Sequence, residues 1–222
     1  MMHKSIKIGS IKTSRTEIVD ILKAWLALSL AFTFLLYPRF YGSGISVLGG
    51  GFSVAKIFSI DFLILFIISL LTAGLGFLLH ELGHKFVAQH YGCTAEFRAW
   101  DQLLYLAVGL AVFISFIFAA PGAVMISGMI TRKENGHISL AGPLINYGLG
   151  LLFLCLMFIF PSGSLWHLVT ATGFSVNVWL GIFNLIPFGP LDGRKVFDWN
   201  KAVWGAMLGI GLFAYFILPK II

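Results

Sequence analysis

Three residues with the chemistry of a metal site stand close together near the end of a long apolar run. His80, Glu81 and His84 form an H-E-x-x-H pattern. On an α-helix, residues four apart lie one turn above each other on the same face, so both imidazoles can bind one metal ion. Glu81 is offset by one position, so it can reach a water at the metal without taking a ligand position. The pattern predicts a zinc hydrolase with His80 and His84 as ligands and Glu81 as the general base.

The same sequence pattern could occur without a metal site. Two histidines at a helix end near lipid headgroups, with Glu81 paired to Lys85, would give this pattern. Ionisable residues in or beside a membrane span are costly and usually functional, and three lie here within five positions. Their location therefore favours the metal site.

The composition indicates which elements must position this site. Of 222 residues, 59% are hydrophobic and 11% are charged, whereas soluble domains carry about 25% charged residues. The long apolar runs favour helices over a barrel, whose strands would alternate in short segments. The net charge of +6 includes no dense basic block, so nucleic acid is not a predicted partner. The predicted surroundings are a lipid bilayer, with basic loops on its cytoplasmic side.

We therefore predict an all-α polytopic membrane protein of about five to six transmembrane helices, with a short membrane-associated extended or hairpin segment. The predicted spans are 21–40, 59–91, 138–160, 165–186 and 202–218. A single membrane protease domain is expected over 1–222, with its core at 57–200 and the first and last spans peripheral. The basic N-terminal tail predicts a multi-pass protein of the cell membrane, with its N-terminus and its active-site side in the cytoplasm.

A zinc site of this kind needs a third protein ligand, often a carboxylate. Asp192 follows a span directly, in a segment broken by prolines, and broken backbone at membrane depth is tolerated where it lines a wet cavity. Asp192 is therefore the predicted ligand. The alternative is a helix cap, or a partner for Arg194 or Lys195.

This assignment limits the topology between the second and third spans. If His84 and Asp192 share one membrane side, residues 103–137 contribute an even number of crossings. The apolar run 103–118 is short for a span, Pro121-Gly122 breaks it, and 123–128 is predicted to be extended. Asn135-Gly136 is a strong hairpin signal. We expect an embedded helix followed by a strand or hairpin that returns to the side it left.

Together these motifs resemble the site-2 protease family of intramembrane metalloproteases. The resemblance covers residues 76–195 and is carried by the H-E-x-x-H, by Ala141-Gly142-Pro143 and by Asn184-x-x-Pro187-x-x-Pro190-Leu191-Asp192-Gly193. It implies one Zn²⁺ held by His80, His84 and Asp192, water activated by Glu81, and cleavage of a transmembrane protein substrate near the cytosolic side of the membrane.

The resemblance also implies that Asn184 and Pro187 shape the substrate site, although Asn184 could instead bond backbone groups freed near Pro187. Asn146 is a further candidate for binding substrate backbone or an oxyanion. The sequence departs from the family pattern at Arg194, where many members have a second glycine after the Asp-Gly.

Two other functions are compatible with such a site. A catalytically inactive member of the family would bind membrane clients without cutting them, but Glu81 is intact. A zinc transporter would use intramembrane histidines and carboxylates as a transit path, usually with repeated halves and polar residues along the path. The polar groups here are confined to one place, which favours the protease.

Overall fold

The structure is a computed structural model that describes residues 5–8, 11–117 and 122–221. The elements run in this order: β1 Ser5–Ile8, β2 Ile11–Ser14, α1 Arg15–Tyr41, α2 Val54–Ile57, α3 Ile60–Ser69, a π-helical turn Leu70–Gly74, α4 Leu75–His90, β3 Thr94–Ala99, α5 Asp101–Ile114, β4 Gly122–Ser127, α6 Arg132–Met157, α7 Leu165–Asn184, α8 Asp192–Trp199, α9 Lys201–Leu212, a π-helical turn Phe213–Ile217 and a 3₁₀ turn Leu218–Lys220.

Within the described residues, five helical segments are long and apolar enough to cross a membrane. They are Arg15–Tyr41, Ile60–His90, Arg132–Met157, Leu165–Asn184 and Lys201–Lys220. This confirms the predicted multi-pass helical membrane protein. Helix α5 has 14 residues and would extend about 21 Å, which is short of a bilayer core of about 30 Å.

Side-chain caps begin the second and fourth spans. The Ser59 hydroxyl accepts a hydrogen bond from the Phe62 N–H, and the Ser164 hydroxyl accepts one from the His167 N–H. Each bond satisfies a backbone donor that the first helical turn leaves without an intrahelical partner.

The predicted hairpin turn at Asn135-Gly136 is wrong, because these residues lie in the first turns of α6. The Thr131 hydroxyl accepts from the Glu134 N–H, and the Glu134 carboxylate accepts from the Thr131 N–H. This capping box starts a helix six residues before the predicted span. The Asn-Gly signal indicates a turn only where two strands flank it, and here only the segment before it is extended.

A further difference lies between 93 and 102, which the sequence analysis left without a strand. Thr94–Ala99 forms β3, which pairs with β4 in a two-stranded sheet among the described residues. The Thr94 hydroxyl donates to the Ser127 carbonyl, whereas Gly122 lies against Arg98, so the strands run in opposite directions. The predicted extended segment is therefore confirmed as β4, while Pro121 lies outside the described residues.

The chain forms two compact units, one of residues up to Leu75 with Phe97–Ala123, and one of Gly76–Glu96 with residues from Val124 onward. The expected single domain with its core at 57–200 stays a prediction. In the first unit, α1 packs against α3, the π-helical turn and α5. The Trp25 indole donates to the Leu70 carbonyl at 3.1 Å, at the point where the helix widens into that turn.

In the second unit, α6 packs along α7 and against α8, and α7 contacts α9. A small apolar cluster fills the space beyond the end of α4; its buried members are Ala88, Cys93, Ala95 and Ile138, with Val87, Tyr91, Val124, Ile126 and Ile130 packed around them. The cluster joins the end of α4 to the start of α6 and to β4.

Glu17 in the first turn of α1 is fully buried and anchors β3 in the first unit. Its Oε1 accepts from the Phe97 N–H and its Oε2 accepts from the Thr13 hydroxyl, both at 2.8 Å. A buried donor that loses its acceptor costs about 1–3 kcal/mol.

We expect Glu17→Ala to lower the free energy of unfolding by about 2–4 kcal/mol, because it leaves both donors without this acceptor. Glu17→Gln keeps a carbonyl oxygen for Phe97 and should stay within about 1 kcal/mol of the wild type. Thermal unfolding in detergent measures both. Equal losses in the two variants would mean that the hydrogen bonds to Glu17 do not matter.

Candidate metal centre

Helix α4 presents His80, Glu81 and His84 at one buried place. The Nε2 atoms of His80 and His84 are 3.0 Å apart, and their rings lie nearly perpendicular at 86°. Both side chains are buried, as is Glu81. One ligand atom from each of the three residues falls within 4.8 Å of the others. The spacing of four residues therefore brings two imidazole nitrogens together, as the sequence predicts.

Asp192 reaches the same place from the first residue of α8. Its Oδ2 lies 3.2 Å from His80 Nε2 and 3.0 Å from His84 Nε2. The segment before it is held from two sides, because the Trp204 indole donates to the Leu185 carbonyl and Gly193 lies directly against that carbonyl. The three residues predicted as ligands thus converge, although 108 residues separate His84 from Asp192.

The outer nitrogens of both imidazoles are held by the protein. His84 Nδ1 lies 2.7 Å from the Ile138 carbonyl, and His80 Nδ1 lies 2.6 Å from Asn146 Oδ1. A carbonyl oxygen accepts but does not donate, so His84 carries a proton on Nδ1, and in the neutral ring the lone pair is then on Nε2. Metal-binding histidines are commonly held by such a bond on the other nitrogen.

These atoms fit a zinc ion. The His84 lone pair and the carboxylate of Asp192 point at a common space together with His80 Nε2, and buried acceptors that face one another repel unless a cation lies between them. Ligands about 2.0–2.1 Å from a tetrahedral zinc ion lie roughly 3.3 Å from each other, close to the 3.0–3.2 Å observed.

Gly142 on α6 leaves the room that the imidazoles need. A Cβ atom at this position would collide with Nε2 of His80 and Nε2 of His84. The backbone of α6 therefore lies directly against the ligand atoms. The sequence analysis quoted Gly142 as part of a motif but did not assign it this role.

Glu81 lies next to the two histidines, and a backbone N–H of β4 holds its carboxylate. Its Oε2 accepts a hydrogen bond from the Val124 N–H at 3.2 Å. One backbone donor thus orients the carboxylate and still leaves it lone pairs for a proton.

The three predicted substrate residues have different surroundings. Asn146 is fully buried, and besides His80 it contacts the Gly76 carbonyl and Asn177 Oδ1, both at 3.2 Å. Asn184 donates to the Leu180 carbonyl one turn earlier in α7. Pro187 is exposed in the segment between α7 and α8. The surroundings of Asn146 favour a role in positioning His80 over contact with a substrate.

Asn177 was missed by the sequence analysis. It is fully buried in α7 and contacts Asn146. The available signal was a carboxamide within an apolar span, where a polar side chain usually has a function.

Comparison with known proteins identifies several relatives of the chain. No protein-family model matches the chain. The protein MJ0611 of Methanocaldococcus jannaschii, whose name designates it a zinc metalloprotease, is 39% identical over 92% of this chain and 94% of its own length. The zinc metalloprotease MJ0392 of the same organism is 30% identical over 53% of this chain and 30% of its own length.

Two more distant relatives complete the comparison. Rip2 of Mycobacterium tuberculosis, also designated a zinc metalloprotease by name, is 27% identical over 54% of this chain and 52% of its own length. The solved site-2 protease of M. jannaschii is 21% identical, covers 96% of this chain and 92% of its own, and has a TM-score of 0.40.

The identity to MJ0611 extends over nearly the whole of both chains. The chain therefore belongs to the site-2 protease family of membrane-embedded zinc metalloproteases.

Proposed function

We propose that this zinc metalloprotease hydrolyses a peptide bond within or near a transmembrane segment of another membrane protein. The observation that carries the proposal is the convergence of His80, His84 and Asp192 beside the Glu81 carboxylate, at a buried place next to a strand. The family acts on membrane protein substrates, and five candidate spans put this chain in the same environment.

In this proposal His80 Nε2, His84 Nε2 and Asp192 Oδ2 hold one zinc ion. When bound, zinc supplies Lewis-acid chemistry, polarising the scissile carbonyl and lowering the pKa of water towards neutrality. Asp192 also balances part of the positive charge. The bonds from His80 Nδ1 and His84 Nδ1 keep both rings turned towards the ion.

Glu81 acts as the general base. It takes a proton from the attacking water and passes it to the nitrogen of the leaving amine, so that one carboxylate serves both proton transfers. The Val124 N–H keeps it pointed at the reacting atoms instead of at the zinc position. Burial among apolar groups excludes other water from the reaction.

The substrate must expose its peptide bond before cleavage, because a transmembrane helix encloses its amides in i→i−4 bonds. We propose that the unwound segment pairs with β4 by strand addition. Support comes from the direction of the Val124 N–H, which faces Glu81 and not β3. Alternate residues of a strand face the same edge, so Ile126 presents its N–H on that edge too. A substrate strand there would lie beside Glu81.

Asn184 and Pro187 lie just before Asp192 in the chain, and we propose that the segment they bound shapes the entry to the site. The N-terminus and the active-site side are proposed to be cytoplasmic. The basic residues of the N-terminal tail, Lys4, Lys7, Lys12 and Arg15, support this orientation.

Glu81→Gln tests the general base. The amide keeps the shape and an oxygen for the Val124 N–H but cannot take a proton, so cleavage should fall about 10²–10⁴-fold while zinc content stays at one per chain. The measurement is cleavage of a panel of single-span substrates in detergent, with zinc determined on the same samples. Cleavage at the wild-type rate by Glu81→Gln would show that another group is the base.

Gly142→Ala tests the metal centre. The added methyl group would collide with both Nε2 atoms, so zinc affinity should fall at least about tenfold. Gly148→Ala is the matched control, because a Cβ there meets no atom within 4 Å and alanine favours the same helix. Competition with a chelating indicator measures both. Equal zinc affinity in the two variants would contradict the proposed ligand positions.

Ile126→Pro tests strand addition without altering the bond between Val124 and Glu81. Proline removes the Ile126 N–H from the outer edge of β4, and proline is tolerated on such edges. Turnover should fall about tenfold or more, because the substrate strand loses one backbone hydrogen bond and the proline ring blocks the edge of β4. Ile126→Ala removes the apolar side chain but keeps the N–H, and should cleave several-fold faster than Ile126→Pro. If both variants cleave equally, the outer edge does not bind substrate.

A further inference from the structure

The second unit contains a chain of hydrogen bonds that leads away from His80 through two buried carboxamides. His80 Nδ1 contacts Asn146 Oδ1 at 2.6 Å, and Asn146 Nδ2 contacts Asn177 Oδ1 at 3.2 Å. Asn177 Nδ2 in turn contacts the Gly173 carbonyl, in its own helix, at 2.9 Å. Both asparagines are fully buried.

The contact between Asn177 and the Gly173 carbonyl determines which atom donates in every hydrogen bond of this series. The Gly173 carbonyl can only accept, so the group of Asn177 that faces it must be the NH₂. The oxygen of Asn177 therefore faces Asn146, where it can only accept as well. Asn146 must present its NH₂ to that oxygen, and a second amide hydrogen goes to the Gly76 carbonyl at 3.2 Å.

With its NH₂ committed in this way, Asn146 can offer His80 only its oxygen. His80 Nδ1 must then be the donor, and the lone pair of the neutral ring lies on Nε2, which faces His84 and Asp192. The opposite tautomer would place an N–H towards the metal position and leave two acceptors facing each other at Nδ1.

We infer that Asn177 is a positioning residue for the metal centre, acting through Asn146 to hold His80 in the tautomer and orientation that bind zinc. This inference rests on the proposed role of His80 as a zinc ligand. His84 needs no intervening side chains of this kind, because its Nδ1 contacts the Ile138 carbonyl directly. One ligand is thus held by the backbone of α6, and the other by α7 through a side chain of α6.

Gly76 makes this arrangement possible. It lies on α4 one turn before His80, and a Cβ atom there would collide with Asn177 Oδ1. The absence of a side chain lets α7 approach α4 closely enough for Asn146 to bond both Asn177 and the Gly76 carbonyl. The glycine, the two asparagines and the histidine therefore form one packed unit.

The experiment measures zinc affinity of the full-length protein in detergent, by competition with a chelating indicator, together with thermal unfolding of the zinc-free form. Asn177→Leu and Asn146→Leu keep the approximate volume but break the chain of bonds. Each should lower zinc affinity about 10–100-fold.

Thr170→Val is the matched control. Thr170 is buried in α7, and its hydroxyl donates to the Trp166 and His167 carbonyls of the same helix. Its loss should change thermal stability but not zinc affinity. If Asn177→Leu is not recovered folded, Asn177→Ala removes the same oxygen without adding an apolar branch.

Two results would overturn the inference. One is that Asn177→Leu unfolds at a lower temperature yet binds zinc as tightly as the wild type, which would give Asn177 a purely structural role. The other is that Asn177→Leu and the control Thr170→Val lower zinc affinity to the same extent. His80→Ala distinguishes an error in the proposed zinc ligands from an error in the role inferred for Asn177. If that variant binds zinc like the wild type, the proposed ligand set is wrong, and the role inferred for Asn177 is wrong as well.

Discussion

The structure depends on one electrostatic constraint, the burial of three hydrogen-bond acceptors that face one another. Nε2 of His80, Nε2 of His84 and Oδ2 of Asp192 lie 3.0–3.2 Å apart in a place closed to solvent. Such a group is unfavourable unless a cation lies at its centre. Zinc satisfies this requirement, and the family to which the chain belongs uses it.

Close helix packing supplies the space for this group. Gly142 brings the backbone of α6 against the imidazoles, and Gly76 brings α4 against α7 at the level of Asn177. Inside a membrane, helices gain little from the hydrophobic effect and associate through close packing and interhelical hydrogen bonds. Small residues at these crossings thus serve the stability of the bundle and the geometry of the site together.

The strand β4 connects substrate recognition to catalysis in the proposed mechanism. Its Val124 N–H binds Glu81, and the edge that carries this N–H is where we propose that an unwound peptide pairs. A substrate that pairs with this edge would lie next to the base without any rearrangement of α4. The apolar cluster around Ile138 holds β4 against the end of α4 and the start of α6, so the base and the edge form one rigid part.

Local features of the sequence determined much of this protein. Apolar runs separated by polar loops predicted the spans, and four-residue spacing predicted that His80 and His84 face one ion. All of these depend on residues within a few turns of each other. At Asn135-Gly136 two local signals competed, and the capping box of Thr131 and Glu134 prevailed because α6 continues for 26 residues against α7.

The tertiary structure alone decided the surroundings of the metal position. The position of Asp192 after a span, in a segment broken by prolines, indicated the third ligand. The contacts of His80 with Asn146, of Asn146 with Asn177 and of Gly142 with both imidazoles, however, arise where separate helices cross. No periodicity within one helix specifies which residue of another helix it will meet. Those meetings are fixed by side-chain volume and by the need to satisfy every buried polar atom, and both operate only once the helices are packed.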